Sequence, residues 1–167
     1  MKKYVLRTVS IILVITVSVI IFCFSAQPAK KSTKSSNFVI IALCKVIYPD
    51  FEQKTDAEKA ELCHKFSHPI RKLAHFSLYA VLGIFSYLSF YWYEKIKFSL
   101  RAVYGFAYAV IYAVSDEIHQ MFVPGRACQI KDVIIDSSGA ACGILILMAL
   151  IVFLRKRRLS LNGQQQP

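Results

Sequence analysis

Four hydrophobic segments, each about as long as a lipid bilayer is thick, constrain what this chain of 167 residues can fold into. They cover residues 4–24, 74–92, 98–115 and 133–154. An α-helix needs about 20 apolar residues to cross the hydrocarbon core, where no water satisfies exposed backbone groups. The pattern therefore predicts an all-α, polytopic membrane protein, folded as a bundle of four transmembrane helices in a single domain over residues 1–167.

Basic residues flank these segments and suggest an orientation. They cluster at residues 2–7, 95–101 and 155–158. Positive flanks favour the cytoplasmic side, which predicts that both termini are cytoplasmic. The first loop is also basic and favours the opposite orientation. The formal net charge of +11 fits anchoring of these flanks to anionic headgroups, so we expect the lipid bilayer as a partner and no nucleic acid.

The long loop after the first segment carries its own helical signals. Residues 30–36 are rich in lysine and serine and predict an extended, solvated tether. Residues 38–47 are apolar but too short to cross, which predicts an interfacial or re-entrant helix. We therefore expect a short interfacial or surface helical element between the first two spans.

A second helix is predicted later in this loop. Residues 55–58 have the spacing of a capping box, which predicts a short surface helix to about Phe66. Pro69 is well placed in the first turn of the second transmembrane helix. At the other end of the chain, the polar residues 160–167 predict a disordered tail.

The five cysteines do not form a disulfide framework, because Cys23 and Cys142 fall inside predicted spans. A disulfide between Cys44 and Cys63 is neither required nor excluded by the sequence.

Ionisable side chains concentrate at one end of the second, third and fourth predicted helices. Asp132, Asp136, Gly139 and Gly143 follow helical spacing on one face, and small residues let helix backbones approach closely. The acids therefore continue the face that packs inward. The sequence predicts one shared cluster near the outer membrane surface, comprising Arg71, Lys72, His75, Asp116, Glu117, His119, Gln120, Arg126, Asp132 and Asp136.

Two stretches of the chain resemble the signatures of VanZ-like membrane proteins. The first is Arg71-Lys72-Leu73-Ala74-His75-Phe76 with Tyr79 and Leu82-Gly83, and the second runs from Asp116 to Arg126 with Asp132, Asp136 and Gly139. Phe24-Ser25-Ala26-Gln27-Pro28 is similar to the turn that follows the first helix of the family. The resemblance covers most of the chain, up to about Leu154.

The resemblance implies a small multi-pass protein of the bacterial cytoplasmic membrane. The member that gives the family its name is associated with resistance to the glycopeptide teicoplanin, and members are not established enzymes. A lipid-linked cell-wall precursor or a lipoglycopeptide is then the expected ligand. The oligomeric state is left open, because Gly139 and Gly143 suit a dimer as well as an internal contact.

Three interpretations of the cluster compete. In the first, Arg71, Lys72 and Arg126 only pair with the four acids and hold the helix ends together. In the second, the basic residues bind an anionic headgroup, because guanidinium groups bind phosphate and carboxylate through two hydrogen bonds.

In the third interpretation, the protein is a membrane-embedded enzyme. Asp116 or Glu117 beside His119 would be its acid and base, or His75, His119 and acids would bind a metal. No pair of histidines one turn apart flanks a glutamate, and no paired-cysteine motif occurs, so the sequence alone predicts no metal and no cofactor. We favour the second interpretation.

Overall fold

Five α-helices and one short 3-10 turn make up the described part of the chain, which comprises the backbone of residues 2–163 and the side chains of residues 3–28 and 38–161. In chain order, the computed structural model has α1 (Lys2–Ser25), α2 (Ala29–Ile47), the 3-10 turn (Phe51–Gln53), α3 (Asp56–Tyr91), α4 (Phe98–Gln120) and α5 (Ile130–Gly163). Helices α1, α3, α4 and α5 are long and apolar enough to cross a membrane. The predicted all-α fold with four spans is confirmed.

Glycines bring α5 unusually close to α3. A side chain on Gly139 would overlap the backbone of Phe76, and one on Gly143 would overlap the backbone of Ala80. On α3, Gly83 lies against Ala140 in the same way. The small-residue face of α5 is therefore used for a contact inside the chain, and it brings the preceding turns of α5 against α3.

An apolar core joins all four spanning helices. It contains Val14, Val17 and Ile21 from α1, Tyr79 and Leu82 from α3, Ala109 and Ala113 from α4, and Ala140 from α5. Two hydrogen-bonding contacts fasten α1 to α4: the Tyr112 hydroxyl donates to the Ser18 carbonyl at 2.6 Å, and the Ser18 and Tyr108 hydroxyls are 3.2 Å apart. The end of α1 is thereby held beside the end of α4.

Helix α3 is one continuous helix of 36 residues, and the prediction of two separate helices was wrong. The capping box is present: the Glu58 N–H donates to Thr55 Oγ1, and the Thr55 N–H donates to Glu58 Oε2. Pro69 removes one backbone donor inside the helix. Apolar packing spans that position, because Phe66 and Ile70 both pack against the cluster that α2 contributes. Burial on both sides of Pro69 holds the helix together.

Helix α2 begins at Ala29, so the extended tether predicted at residues 30–36 is a helical backbone instead. No glycine or proline interrupts residues 29–48, and Ile40 and Cys44 are fully buried against Phe51, which anchors the helix. Helix α5 also continues further than expected. Residues 160–163 are helical where a disordered tail was predicted, and residues 164–167 lie outside the described residues.

Cys44 and Cys63 lie in the same apolar cluster between α2 and α3 as free thiols. Burial raises the pKa of the Cys44 thiol, and the neighbouring Cys63 raises it further. Because the thiolate is the reactive form, this environment disfavours oxidation of Cys44.

Candidate functional site

A small cavity lies at the end of the bundle where α1 and α4 terminate. Its volume is about 20 Å³, which is enough for a water molecule or a small ion but not for a lipid headgroup. Residues from α3, α4, α5 and the loop between α4 and α5 line it: Arg71, Lys72, His75, Glu117, Gln120, Arg126, Asp132, Ile135 and Asp136. We call the polar residues of this set, together with Ser25 and Asp116, the polar cluster.

Eight of the ten residues that the sequence places in one cluster line this cavity, namely all except Asp116 and His119. Asp116 adjoins the cavity residues, because one of its oxygens lies within 4.8 Å of donor atoms of His75 and Asp136. His119 lies apart from them. Its ring packs against Phe22 of α1, with the ring centroids 4.5 Å apart.

Asp116 is buried and held from one side only. Its Oδ2 accepts a hydrogen bond from the Ser25 hydroxyl at 2.7 Å and another from Gln120 Nε2 at 3.1 Å. Its Oδ1 is buried and has no hydrogen-bond partner among the described residues. The sequence prediction did not include Ser25, although this serine lies in the segment that resembles the turn of the family. A lone serine at a helix end gives no other signal.

Arg126 closes the C-terminal end of α1. Its Nε donates to the Gln27 carbonyl at 3.0 Å and its Nη2 to the Phe24 carbonyl at 3.2 Å, while Nη1 donates to Gln120 Oε1 at 3.1 Å. A cation at a helix C-terminus also interacts favourably with the helix dipole. Burial lowers the pKa of the Arg126 guanidinium, and the nearby positive charge of Arg71 lowers it further. Arg126 thus joins the end of α1 to Gln120 of α4, and it uses three of its five N–H donors to do so.

A turn between α4 and α5 positions Arg126. Gly125 has φ of 76°, in the left-handed region where residues with a Cβ are strained. The Arg126 N–H donates to the Val123 carbonyl at 3.1 Å, which closes the turn. The Pro124-Gly125 pair therefore directs Arg126 back toward α1.

Only one Lys or Arg forms an ion pair with an acid of the polar cluster among the described residues. Lys72 Nζ lies 2.5 Å from Asp132 Oδ1. His75 Nδ1 and Asp136 Oδ2 are 3.8 Å apart, a separation too long for a hydrogen bond. Glu117 is buried and accepts from the Gln129 backbone N–H at 2.9 Å. The half-buried Arg71 has no hydrogen bond or ion pair with any described residue.

Three members of the polar cluster have the chemistry of metal ligands. His75, Asp116 and Asp136 each offer one atom, and these atoms lie within 4.8 Å of one another. They come from three different helices, α3, α4 and α5, so no residue spacing within one helix indicates that they lie together. Asp136 Oδ2, Asp116 Oδ1 and the Tyr79 hydroxyl are all buried without a partner among the described residues. The metal alternative in the sequence analysis grouped His75 with His119 and acids, whereas the structure brings His75 together with Asp116 and Asp136.

Comparison with known proteins adds one match. The family model described as VanZ/LLP1 matches residues 10–154, a range that includes every residue of the polar cluster. No curated protein matches the chain, and no solved structure matches it.

Proposed function

This chain belongs to the VanZ/LLP1 family, and we propose that its polar cluster binds the anionic group of an envelope ligand on the extracytoplasmic side of the membrane. The ligand is a lipid-linked cell-wall precursor or a lipoglycopeptide, and binding lowers susceptibility to teicoplanin. The observation that carries this proposal is Arg71, a half-buried cation at the cavity that has no anionic partner among the described residues.

None of the Arg71 nitrogens is buried, so its guanidinium can be reached from outside the cavity, and an unpaired cation at a cleft is a candidate for binding an external anion. The Arg71 guanidinium offers five N–H donors in a planar arrangement that matches phosphate and carboxylate. Arg126 lies on the same cavity, and two of its five donors have no acceptor among the described residues. Together the two arginines supply the positive charge and the geometry that an anionic group requires.

The purely structural interpretation predicts that Arg71, Lys72 and Arg126 each form an ion pair with an acid of the cluster. Among the described residues, Lys72 alone meets that expectation, through its ion pair with Asp132. Arg126 donates to backbone carbonyls and to an amide instead, and Arg71 donates to none of the described groups. This pattern supports a ligand more than a closed salt-bridge network.

The size of the cavity limits how the ligand binds. A volume of about 20 Å³ excludes a phosphate or a carboxylate group from the interior. The anion therefore binds at the mouth, where the two half-buried arginines are reached from the headgroup region, and the apolar part of the ligand stays in the bilayer. Acyl-bearing ligands that lie at this depth satisfy both requirements.

A binding experiment tests the proposal and separates the two ligand sources. The full chain, reconstituted in lipid nanodiscs, is titrated in separate arms with a lipid-linked disaccharide pyrophosphate, with teicoplanin and with phosphatidylglycerol. We expect Arg71→Ala to weaken binding of the recognised probe by about tenfold or more, because a charge-assisted hydrogen bond contributes about 1.5–3 kcal/mol. Arg71→Lys keeps the charge but loses the paired geometry and should lie in between.

Arg158→Ala is the matched control, because it removes an exposed arginine from α5 outside the polar cluster. Its binding should equal that of the unaltered protein. Equal binding by Arg71→Ala, or no binding of any of the three probes, would overturn the proposal.

The resistance role has its own experiment. In a strain that lacks the gene, complementation with the unaltered gene should raise the inhibitory concentration of teicoplanin more than that of vancomycin, which carries no acyl chain. Complementation with Arg71→Ala should fail at equal membrane abundance. Unchanged inhibitory concentrations on deletion would remove the resistance role and leave the binding result standing.

A further inference from the structure

We propose that His75, Asp116 and Asp136 bind one divalent transition-metal ion of the Zn²⁺ or Mn²⁺ class. One imidazole and two carboxylates form a donor set that such ions take, whereas Mg²⁺ and Ca²⁺ favour oxygen ligands alone. The site does not rest on the proposed function, because its donor atoms come from His75, Asp116 and Asp136 and it needs no anionic ligand.

The spacing of the donor atoms suits a single ion. They lie within 4.8 Å of one another, and they belong to three helices whose backbones are fixed by close packing. Donors bound tetrahedrally at about 2.1 Å from a metal are about 3.4 Å apart. Small side-chain rotations, of the order of 1 Å at the donor atoms, bring the three groups to bonding distance.

The hydrogen bonds of Asp116 orient it for this role. Ser25 and Gln120 both donate to Oδ2, which leaves Oδ1 for a different partner. Metal-binding carboxylates are commonly held by hydrogen bonds on the oxygen that does not carry the metal bond. Asp116 is 3% exposed, so water does not satisfy the remaining oxygen.

Asp136 gives the second, independent argument. It is 1% exposed, and its Oδ2 is buried without a hydrogen-bond partner among the described residues. The nearest cationic candidate is His75, at 3.8 Å. Two buried carboxylates and one histidine thus offer atoms that a divalent cation binds, and a buried polar atom without a partner is otherwise costly.

The neighbouring space completes the site. His75 and Asp136 both line the cavity of about 20 Å³, which accommodates one water molecule as a fourth ligand. The Tyr79 hydroxyl is fully buried on α3, one helical turn after His75, and lacks a partner among the described residues. It is available to donate a hydrogen bond to a metal-bound carboxylate or water.

Direct metal analysis tests the proposal. The full chain is purified in detergent through a tag without histidines, stripped with a chelator, and titrated with Zn²⁺, Mn²⁺ and Co²⁺ in separate samples. We expect one ion per chain and a melting temperature that rises with metal concentration, because an ion that binds only the folded state stabilises it. The near-ultraviolet spectrum with Co²⁺ should lack a sulfur-to-metal charge-transfer band, which excludes the five cysteines as ligands.

Asp136→Asn and His75→Gln should each weaken metal binding by at least tenfold. The matched controls are Asp132→Asn, which removes the acid paired with Lys72, and His119→Gln, which removes the histidine that packs against Phe22. Both controls should keep one ion per chain. Retention of the ion by Asp136→Asn and His75→Gln would overturn the proposal.

The unaltered protein provides a test that does not depend on the variants folding. If its melting temperature is unchanged by chelator and by added metal, and no ion co-purifies at a defined stoichiometry, the site does not exist. Failure of anion binding alongside a stoichiometric ion would remove the proposed function and leave the metal site intact.

Discussion

The two ends of the bundle manage charge in opposite ways. At the polar cluster, Asp116, Glu117 and Asp136 are 1–3% exposed. At the opposite end, which we call the aromatic–basic end, the side chains of Lys3 and Glu94 form an ion pair while 63% and 75% exposed. The aromatic–basic end comprises Lys3, Arg7, Tyr91, Tyr93, Glu94, Arg101 and Arg155.

Arginines at the aromatic–basic end lie over aromatic rings. The Arg7 guanidinium is 4.7 Å from the ring centre of Tyr93, and Arg101 and Arg155 are 5.7 Å and 5.9 Å from that of Tyr91. Arg155 also donates to the Tyr91 hydroxyl at 2.6 Å. Amphipathic rings and basic side chains are typical anchors at a membrane surface.

The charges at the two ends differ in what they cost the fold. Exposed charges cost little and also contribute little beyond anchoring. Buried acids with unused oxygens cost stability, and such groups are enriched at functional sites. Four substitutions test this difference between the ends. They are given in order of their expected effect on thermal stability in detergent, from the largest to the smallest.

The largest effect is expected from Gly139→Val. The added side chain would overlap the backbone of Phe76 and push α5 away from α3 beside the polar cluster. Overpacking against a backbone should cost about 3 kcal/mol, which lowers the melting temperature by about 6–12 °C. Ala149→Val, at an exposed position on α5, is the control and should change little. Equal melting temperatures for the two variants would contradict the close α3–α5 contact.

Ser25→Ala should have the next largest effect. It removes the 2.7 Å hydrogen bond to the buried Asp116 carboxylate, and such a loss costs about 2 kcal/mol. The corresponding fall in melting temperature is about 4–8 °C. Thr8→Ala removes an exposed hydroxyl that donates to the Tyr4 carbonyl within the same helix, and it should have almost no effect. If the two variants behave alike, the ends of the bundle do not differ in the way described.

Gly125→Ala sharpens the comparison at the loop that carries Arg126. The left-handed φ of 76° costs a residue with a Cβ about 1 kcal/mol, so the melting temperature should fall by about 2–4 °C. Gly125→Asn should be milder, because asparagine tolerates this conformation better. An equal or larger loss for asparagine would mean that the effect does not come from backbone conformation.

Glu94→Gln at the aromatic–basic end should have the smallest effect, and that effect should depend on pH. The hydrogen bond from Lys3 lowers the pKa of Glu94 below its ordinary value of 4.5. The pair therefore stabilises the fold above about pH 4.5, and its contribution is lost as the pH falls through the lowered pKa. The melting temperatures of Glu94→Gln and of the unaltered protein, measured from pH 7 to pH 3, should become equal at the acidic end.

Glu61→Gln, at an exposed glutamate on α3, is the control for this pH series. It should show no convergence, because the described residues include no ion pair for Glu61. A difference between Glu94→Gln and the unaltered protein that grows as the pH falls would contradict the sign of the effect.

Much of the fold follows from features that act within one segment. The capping box at Thr55 and Glu58 starts α3 where the sequence predicts, because its two hydrogen bonds involve neighbouring residues only. The continuation of α3 through Pro69 was not predictable from that segment. It depends on apolar contacts with α2, which is separated from Pro69 in the chain and close to it only in the folded state.

The site shows the same division. At about 100° per residue, Asp116, Glu117 and Gln120 fall within an arc of about 100° on α4, and His119 lies about 60° outside it. The sequence analysis placed His119 in one cluster with Asp116 and Gln120, which is compatible with helical spacing. The direction of α1 and α5 around α4 decides between the two faces, and no residue of α4 encodes that direction. His119 consequently packs against Phe22.

The length of the unbroken helix α3 can be compared with the thickness of a bilayer. Its last 20 residues, from Lys72 to Tyr91, extend about 30 Å, which is the thickness of a typical hydrocarbon core. With Tyr91 placed at one interface, this length puts Arg71 and Lys72 at the other and leaves the first 16 residues of α3 outside the hydrocarbon core. A thicker bilayer submerges the two cations and a thinner one hydrates them. The anion binding proposed for the polar cluster should therefore depend on acyl-chain length in the surrounding lipid, without any change in the protein.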